Sequence, residues 1–219
     1  MGFWDVVGKV ATTLIEEGAK SKQETYKRAA SKINDYEKKI ANAEKSSKMN
    51  NPEYAKKVKE AKEQLKKAKV KMYTGGSSSS DNVKTNSNGQ VIIGDYAIEQ
   101  WDKQWRSLGT LSKLALNDLS PYNHSIGLYK AEMGGKIYYI GRAIEYNNGG
   151  FRKRLRDYVR DSNSARTHKS GGKMNENADR ITISILVMGD SEKHVEDVKI
   201  LEKSLIIKHA PQWNFQFNS

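Results

Sequence analysis

Two tyrosines, a run of arginines and one glutamate are the residues whose types and spacing suggest chemistry. Tyr129 and Tyr139 lie in Gly127-Leu128-Tyr129-Lys130-Ala131 and Ile137-Tyr138-Tyr139-Ile140-Gly141, two β-rich runs around Met133-Gly134-Gly135. That layout predicts a hairpin. Its register decides what the phenols can do, because a one-residue slip turns a side chain to the other face. A three-residue loop, Met133 to Gly135, pairs Glu132 with Lys136 and sets Tyr129 opposite Tyr139; this is the expected form. A two-residue Gly-Gly loop separates the phenols onto opposite faces. A tyrosine pair on a strand is ordinarily packing, so the pair gains meaning only from its neighbours.

Those neighbours follow Gly149-Gly150. Residues Phe151–Arg160 predict a helix with the apolar stripe Phe151, Leu155 and Val159, and with Arg152, Lys153, Arg154, Arg156 and Arg160 around it. Arg154 and Tyr158 are four apart and share a face. Such a helix suits phosphates in general, and one arginine held at the strand–helix junction suits charge developing on a phosphoryl group. Further on, Ile181–Met188 reads as an apolar strand and Glu192–His209 as a helix directing Val195, Val198, Leu201, Leu205 and Ile206 inward. Glu202 sits at the edge of that buried side. Carboxylates are rarely buried without a partner, so Glu202 is either paired with an arginine or a ligand for a divalent cation.

Composition narrows the classes. The 219 residues contain no cysteine, which excludes a disulfide framework, an Fe–S cluster, a cysteine-built zinc site and a thiol nucleophile. Apolar residues are only 37% and charged residues 29%, so part of the chain is expected outside any packed core. No apolar run approaches the roughly 20 residues needed to cross a bilayer, and no secretory signal opens the sequence. A cytoplasmic location is the expectation. The net charge of +12 suggests a polyanionic partner, nucleic acid first and an anionic membrane second.

The elements that must position these residues fall into regions of different texture. Residues 1–72 carry 18 Lys and Arg against 10 Asp and Glu. Tyr26, Ala29, Ile33, Tyr36, Ile40 and Ala43 form one heptad seam, and Tyr54, Val58, Ala61, Leu65, Ala68 and Met72 form another. Asn50 or Asn51 can cap the second helix, with Pro52 in its first turn. This reads as an antiparallel helical hairpin or one arm of a dimeric coiled coil. The segment can therefore support a homodimer or a protein partner. Before it, Phe3, Val6, Val7, Val10 and Leu14 make one helical face, which fits a membrane surface, the hairpin or a second chain. The scarcity of basic residues among 3–14 disfavours the membrane. Residues 73–90, with Gly75-Gly76 and Ser77–Ser80, predict a flexible linker. Residues 91–125 then predict one or two connecting helices, from Ile98, Trp101, Trp105, Leu108, Leu111, Leu114 and Leu116. Residues 126–219 hold the chemistry.

The chain here resembles the GIY-YIG nuclease family. Gly127-Leu128-Tyr129 and Tyr139-Ile140-Gly141 are similar to its paired signature. An arginine in the next helix, Leu201-Glu202, Pro211 and Asn214 follow in the family's order. The likeness covers about Ile126–Asn214. It implies an α+β domain, a small three-stranded antiparallel sheet flanked by helices, behind the all-α hairpin. It implies that Tyr129 and Tyr139 face a scissile phosphate, Tyr129 being the better candidate for the base on water. Arg154 would stabilise phosphorane-like charge, and Glu202 would hold one Mg²⁺ or Mn²⁺. Tyr158 would contact nucleophile or phosphate, and Asn214 would tie the tail to the sheet, with Gly127 and Gly141 structural beside the site. Lys153, Arg156 and Arg160 are the candidate DNA contacts. The stretch from Gly141 to the arginine is longer than usual by about Glu145–Gly149, so Arg152 competes with Arg154. The polar segment Ser162–Asp179 is expected to be a substrate-facing loop, with His168 a candidate auxiliary acid or base.

A free phenol has a pKa of about 10, so roughly one in a thousand is ionised at pH 7. Cations must therefore cluster near the tyrosines to activate them; Lys130 and Lys136 are further candidates. Three function classes follow: a metal-dependent DNA endonuclease with a helical targeting or dimerisation region, a nuclease guided by a membrane or partner, and a basic nucleic-acid-binding protein without catalysis. The first accounts for the most residues.

Overall fold

A computed structural model of the chain describes residues 22–74, 83–88, 90–160 and 168–215. The chain divides into two compact units at Ala97/Ile98. The apolar face expected over residues 3–14 lies outside the described residues. No helix among the described residues is long and apolar enough to cross a membrane.

The first unit begins with α1 (Lys22–Glu44) and α2 (Pro52–Thr74). Asn51 caps α2, its Oδ1 accepting from the backbone N–H groups of Glu53 at 2.9 Å and Tyr54 at 3.1 Å. Heptad spacing becomes a closed seam: Ala29, Ile33 and Ile40 are buried with Val58, Ala61, Leu65, Ala68 and Met72. Lys62 reaches Glu44 at 2.7 Å and Lys69 pairs with Glu37, so numbers rise on one helix as they fall on the other. The helices are antiparallel.

A small sheet spans the end of the predicted linker 73–90 and the start of the predicted connecting helices 91–125. Strands β1 (Val83–Thr85), β2 (Val91–Ile93) and β3 (Tyr96–Ala97) pair antiparallel in that order. Polar residues close the β1–β2 turn: Asn86 Oδ1 accepts from Gln90 N–H at 2.9 Å, and Asn86 Nδ2 donates to Gln90 Oε1 at 2.9 Å. Val83, Val91, Ile93 and Ala97 are buried, and β1 and β2 pack on α2. Composition pointed to a loop over β1 and to helices from residue 91 because strands this short show no period.

The second unit is built on a four-stranded antiparallel sheet, one strand more than expected, in the spatial order Arg106–Thr110, Thr182–Gly189, Ile126–Met133, Lys136–Ala143. After α3 (Ile98–Trp101), the extra strand is β4 (Arg106–Thr110), in a stretch whose apolar spacing predicted helix. Gly109 explains the outcome. Its φ of 108° accommodates a register shift against β7 (Thr182–Gly189), a conformation that no α-helix contains. A short helix α4 (Leu116–Leu119) precedes β5 (Ile126–Met133) and β6 (Lys136–Ala143). Then come α5 (Gly150–Asp157), α6 (Lys169–Glu176) and α7 (Val195–His209). Helix α6 occupies much of the expected loop Ser162–Asp179, and residues 161–167 lie outside the described ones.

Strand pleat sorts the side chains into two cores. Tyr129, Ala131, Ile183 and Ile185 face a cluster with Phe151 and Leu155 of α5, Met174 of α6, and Trp213. Leu128, Ile140 and Leu186, on the opposite face, are buried where α7 packs on β5 and β6 with Val198, Leu201 and Leu205 inward.

A polar network ties α3 to the end of α7. Asp102 accepts from Trp105 Nε1 at 3.0 Å and His209 Nε2 at 2.9 Å, and Lys208 Nζ lies 2.7 Å away. Burial pushes the Asp102 carboxyl up, but bonds from His209, Lys208 and Trp105 outweigh it and hold it well below the usual range. A depressed carboxylate pKa adds stability above the unfolded value of about 3.9 and loses it as pH falls from there. Asp102→Ala is expected to cost about 2–3 kcal/mol in urea unfolding at pH 7. The difference should shrink below about pH 4; a constant difference would argue against the ionised network.

Candidate active site

The hairpin resolves the register question in a third way. Met133 pairs with Lys136 across the two-residue turn Gly134-Gly135, whose φ values are 57° and 74°. The turn is therefore not the expected three-residue loop. A bulge at Tyr138 then restores the parity that a two-residue turn would have lost. Glu132 pairs with Ile137, but Ala131 pairs with Tyr139 and Tyr129 with Gly141. Both phenols end on one face, offset by two residues along the ladder rather than directly opposed. Tyr138, the extra residue, packs against Trp213 with ring centroids 4.9 Å apart and the rings tilted by 43°.

Tyr158, at the C-terminal end of α5, completes a triangle. Its ring centroid lies 6.1 Å from that of Tyr129 and 6.5 Å from that of Tyr139, and Tyr129 and Tyr139 are 6.0 Å apart. The hydroxyls of Tyr129 and Tyr158 share a hydrogen bond of 2.6 Å. Asn175 of α6 donates to the Tyr158 backbone carbonyl at 2.5 Å, anchoring that corner. Gly141 leaves space for the Tyr129 ring, since a Cβ there would lie 2.6 Å from its hydroxyl.

Burial raises the pKa of all three phenols, well above 10 for Tyr129 and Tyr139. For Tyr129, the neighbouring phenols add to that rise and Arg154 pulls the other way without prevailing. The expected cation assistance is thus outweighed in the chain itself. Lys130 does not supply it: it pairs with Glu132 at 3.0 Å and lies 5.1 Å over the Trp105 ring. Lys136 sits 5.3 Å over Tyr138.

Arg154 and Glu202 reach the same neighbourhood from different elements. Arg154, on α5, interacts electrostatically with Tyr129 and Tyr158. Glu202, on α7, interacts with Arg142 and Arg154, and its charge is felt by Tyr139 and Tyr158. Its side chain is 12% exposed and pairs through Oε2 with Arg142 Nη1. Burial raises the Glu202 pKa, and the two arginines only partly offset that. Edge strand β6 lies between these groups: Tyr139 and Gly141 point to one face, and Arg142, by alternation, to that of α7.

Other candidates fall elsewhere. Arg152 Nη1 donates to Asn123 Oδ1 at 3.2 Å, so the arginine beside the phenols is Arg154. His168 is exposed at the N-terminal boundary of α6, with no capping bond from its side chain. Lys153 and Arg156 are half-buried on α5, and Arg160 is exposed, 4.0 Å from Asp157. Asn214 mimics a neighbouring strand on β6. Its Oδ1 accepts from Ile140 N–H at 3.0 Å and its Nδ2 donates to Ile140 O at 2.7 Å, while Trp213 N–H donates to Tyr138 O at 2.8 Å. Gly127, at φ 153°, has no room for a Cβ, which would lie 2.0 Å from Leu186 O.

Sequence reasoning did not single out Arg142, Glu145 or Asn175. Arg142 was detectable as the residue after Gly141, placed by strand alternation on the Glu202 face. Glu145 lies in the extra stretch before the helix, and Asn175 carried no signal.

No family model and no curated protein matches the chain. A solved structure is similar. It is the GIY-YIG N-terminal endonuclease domain of UvrC from Thermotoga maritima, bound to its catalytic divalent cation, magnesium. Identity is 26%, covering 45% of this chain and 92% of that one, with a TM-score of 0.32. A likeness that loose leaves side-chain roles to this chain's own geometry.

A cation fits the donors that are present. Among the described residues no group of three or more His, Cys, Asp or Glu could form a metal cage. Glu202 is one largely buried carboxylate with Oε2 committed to Arg142. One carboxylate suits an ion such as Mg²⁺, which keeps several of its waters.

Proposed function

We propose that the second unit is a metal-dependent endonuclease cutting DNA phosphodiester bonds. The observation that supports this reading is the gathering of Tyr129, Tyr139, Tyr158, Arg154 and Glu202 from β5, β6, α5 and α7 at one sheet edge. Phosphoryl transfer needs donors and positive charge aimed at the phosphate, an oriented water and a fixed leaving group. Arg154 offers guanidinium donors to the non-bridging oxygens. Tyr129, neutral because it is buried, acts by hydrogen bonding: its oxygen accepts from the attacking water while its O–H is shared with Tyr158. Tyr139 flanks the phosphate from the same face. Glu202 would hold Mg²⁺ or Mn²⁺, which when bound polarises the phosphate and lowers the pKa of nearby water and phenols. Lys153, Arg156 and Arg160 would bind flanking phosphates. The antiparallel hairpin would serve targeting or self-association.

The test is Mg²⁺-dependent nicking of supercoiled plasmid, stopped by EDTA. Arg154→Ala is expected to slow it about 10²–10³-fold with the fold intact. Salt-sensitive DNA binding without a metal-dependent product would instead establish a non-catalytic binding protein.

A further inference from the structure

We infer that Glu145 is a positioning residue for Arg154: it grips one edge of the guanidinium so that the other edge is presented to the scissile phosphate. The inference rests on the nuclease reading above. Arg154 Nε donates to Glu145 Oε2 at 3.1 Å, and Arg154 Nη2 pairs with Glu145 Oε1. Two parallel bonds fix the plane of the guanidinium as well as its place. The Nε/Nη2 edge is consumed, while the Nη1/Nη2 edge keeps its outward N–H groups for an incoming oxyanion.

Glu145 is itself rigidly held. Ile144 N–H donates to its Oε2 at 3.1 Å. Its carbonyl accepts from Asn148 N–H at 2.9 Å and Gly150 N–H at 3.0 Å, closing the turn that launches α5. The same turn therefore sets both the start of α5 and the clamp on an arginine one turn into it. The Arg154 side chain is 42% exposed, so without the clamp its long stem would sample several rotamers. Burial works against the charged guanidinium, and Glu145 outweighs it, raising the Arg154 pKa.

The clamp has an opposing effect that makes it testable. A carboxylate near the phosphate weakens DNA attraction, so Glu145 helps only through orientation. A residue with a merely structural role would alter stability, and one acting through bulk charge would alter DNA affinity. A positioning residue lowers the rate of the bound complex while affinity stays level or improves.

The experiment compares full-length wild type with Glu145→Gln, Arg154→Ala and the double variant, at saturating Mg²⁺ and excess enzyme over a DNA duplex. Glu145→Gln is expected to slow single-turnover cleavage about 10–100-fold, with a DNA dissociation constant equal to or below that of wild type. The double variant should be no slower than Arg154→Ala alone, since both changes remove one device. The ¹⁵N-resolved Nε–H signal of Arg154 should be protected from exchange in wild type and lost in Glu145→Gln. Circular dichroism and thermal melting equal to wild type then show that Glu145→Gln is folded and that the signal is lost through release of the guanidinium alone. Wild-type cleavage with an unchanged or faster Glu145→Gln rate overturns the positioning role and leaves the nuclease reading standing. A wild-type chain that never cleaves overturns the nuclease reading, and this inference with it.

Discussion

Glu202→Gln is expected to lower metal-dependent cleavage by at least about 10³-fold while leaving the protein as stable as wild type or more so. The two halves of this expectation share one cause. Burial raises the Glu202 pKa despite Arg142 and Arg154. A carboxyl with a raised folded pKa stabilises the fold most below its unfolded value of about 4.3 and loses that contribution as pH rises through the folded value. At pH 7 the ionised side chain is therefore a destabilising element that the fold tolerates. Glutamine has the same shape and no charge to desolvate. Arg142 loses its partner, but it is 43% exposed and can be rehydrated.

A gain of about 2–4 °C in melting temperature at pH 7 corresponds to roughly 1 kcal/mol for a chain of this size, and it should vanish near pH 4. Mg²⁺ should raise the wild-type melting temperature with concentration, as any ligand of the folded state does, and should leave Glu202→Gln unmoved. A variant that melts several degrees early, beside a wild type indifferent to Mg²⁺, would assign Glu202 to a structural ion pair with Arg142.

The candidate residues could be named from the sequence, their wiring much less so. Tyr129, Tyr139, Arg154, Tyr158 and Glu202 were named from residue type and from an order that resembles the GIY-YIG family, with helix spacing adding only that Arg154 and Tyr158 share a face. The hairpin was predicted, but its turn was not: the Tyr138 bulge compensates a two-residue turn, and a bulge leaves little trace in a pattern of alternating residues. Strand β4 was hidden for a related reason. A five-residue strand between short helices shows too few apolar positions to fix a period, and Gly109 was the one local sign against a helix. The same shortness hid β1 among polar residues. Ion pairs such as Glu145–Arg154 and Arg142–Glu202 depend on tertiary closeness, which charge patterning along a chain does not encode. The +12 net charge suggested a polyanionic partner, nucleic acid first and an anionic membrane second. In the structure, four of the hairpin lysines, Lys57, Lys62, Lys66 and Lys69, pair with Glu53, Glu44, Glu63 and Glu37.

Gly141→Ala and Gly127→Ala should separate catalysis from folding at two glycines of the paired motif. A Cβ on Gly141 would come within 2.6 Å of the Tyr129 Cζ and hydroxyl and within 2.7 Å of the Tyr139 Cε1. The obstacle is two side chains, so the site can yield by moving a ring. Tyr129 is only 2% exposed and has little free space, and overpacking of this kind costs about 1–3 kcal/mol. The ring's displacement must stretch the 2.6 Å bond to Tyr158 and carry the hydroxyl away from where it meets water. Cleavage is expected to fall about 10²-fold with the circular dichroism of the folded chain retained.

At Gly127 the obstacle is backbone. The added Cβ would lie 2.0 Å from Leu186 O and 3.1 Å from Met188 N, at a φ of 153°. Strands β5 and β7 are paired through Gly127 and Val187 at that point, beside a register shift, and no rotamer change relieves the contact. The two central strands would have to part. Gly127→Ala is therefore expected to cost more than about 4 kcal/mol and to be seen as early thermal melting, with activity lost only because the fold is lost. If Gly141→Ala cleaved DNA at the wild-type rate, the position of the Tyr129 hydroxyl would be irrelevant to the reaction and its place in the mechanism would fall. If instead Gly141→Ala unfolded as readily as Gly127→Ala, the Tyr129 ring would be a keystone of the core first, and its catalytic role would have to be read from Tyr129→Phe, which keeps the ring and removes only the hydroxyl.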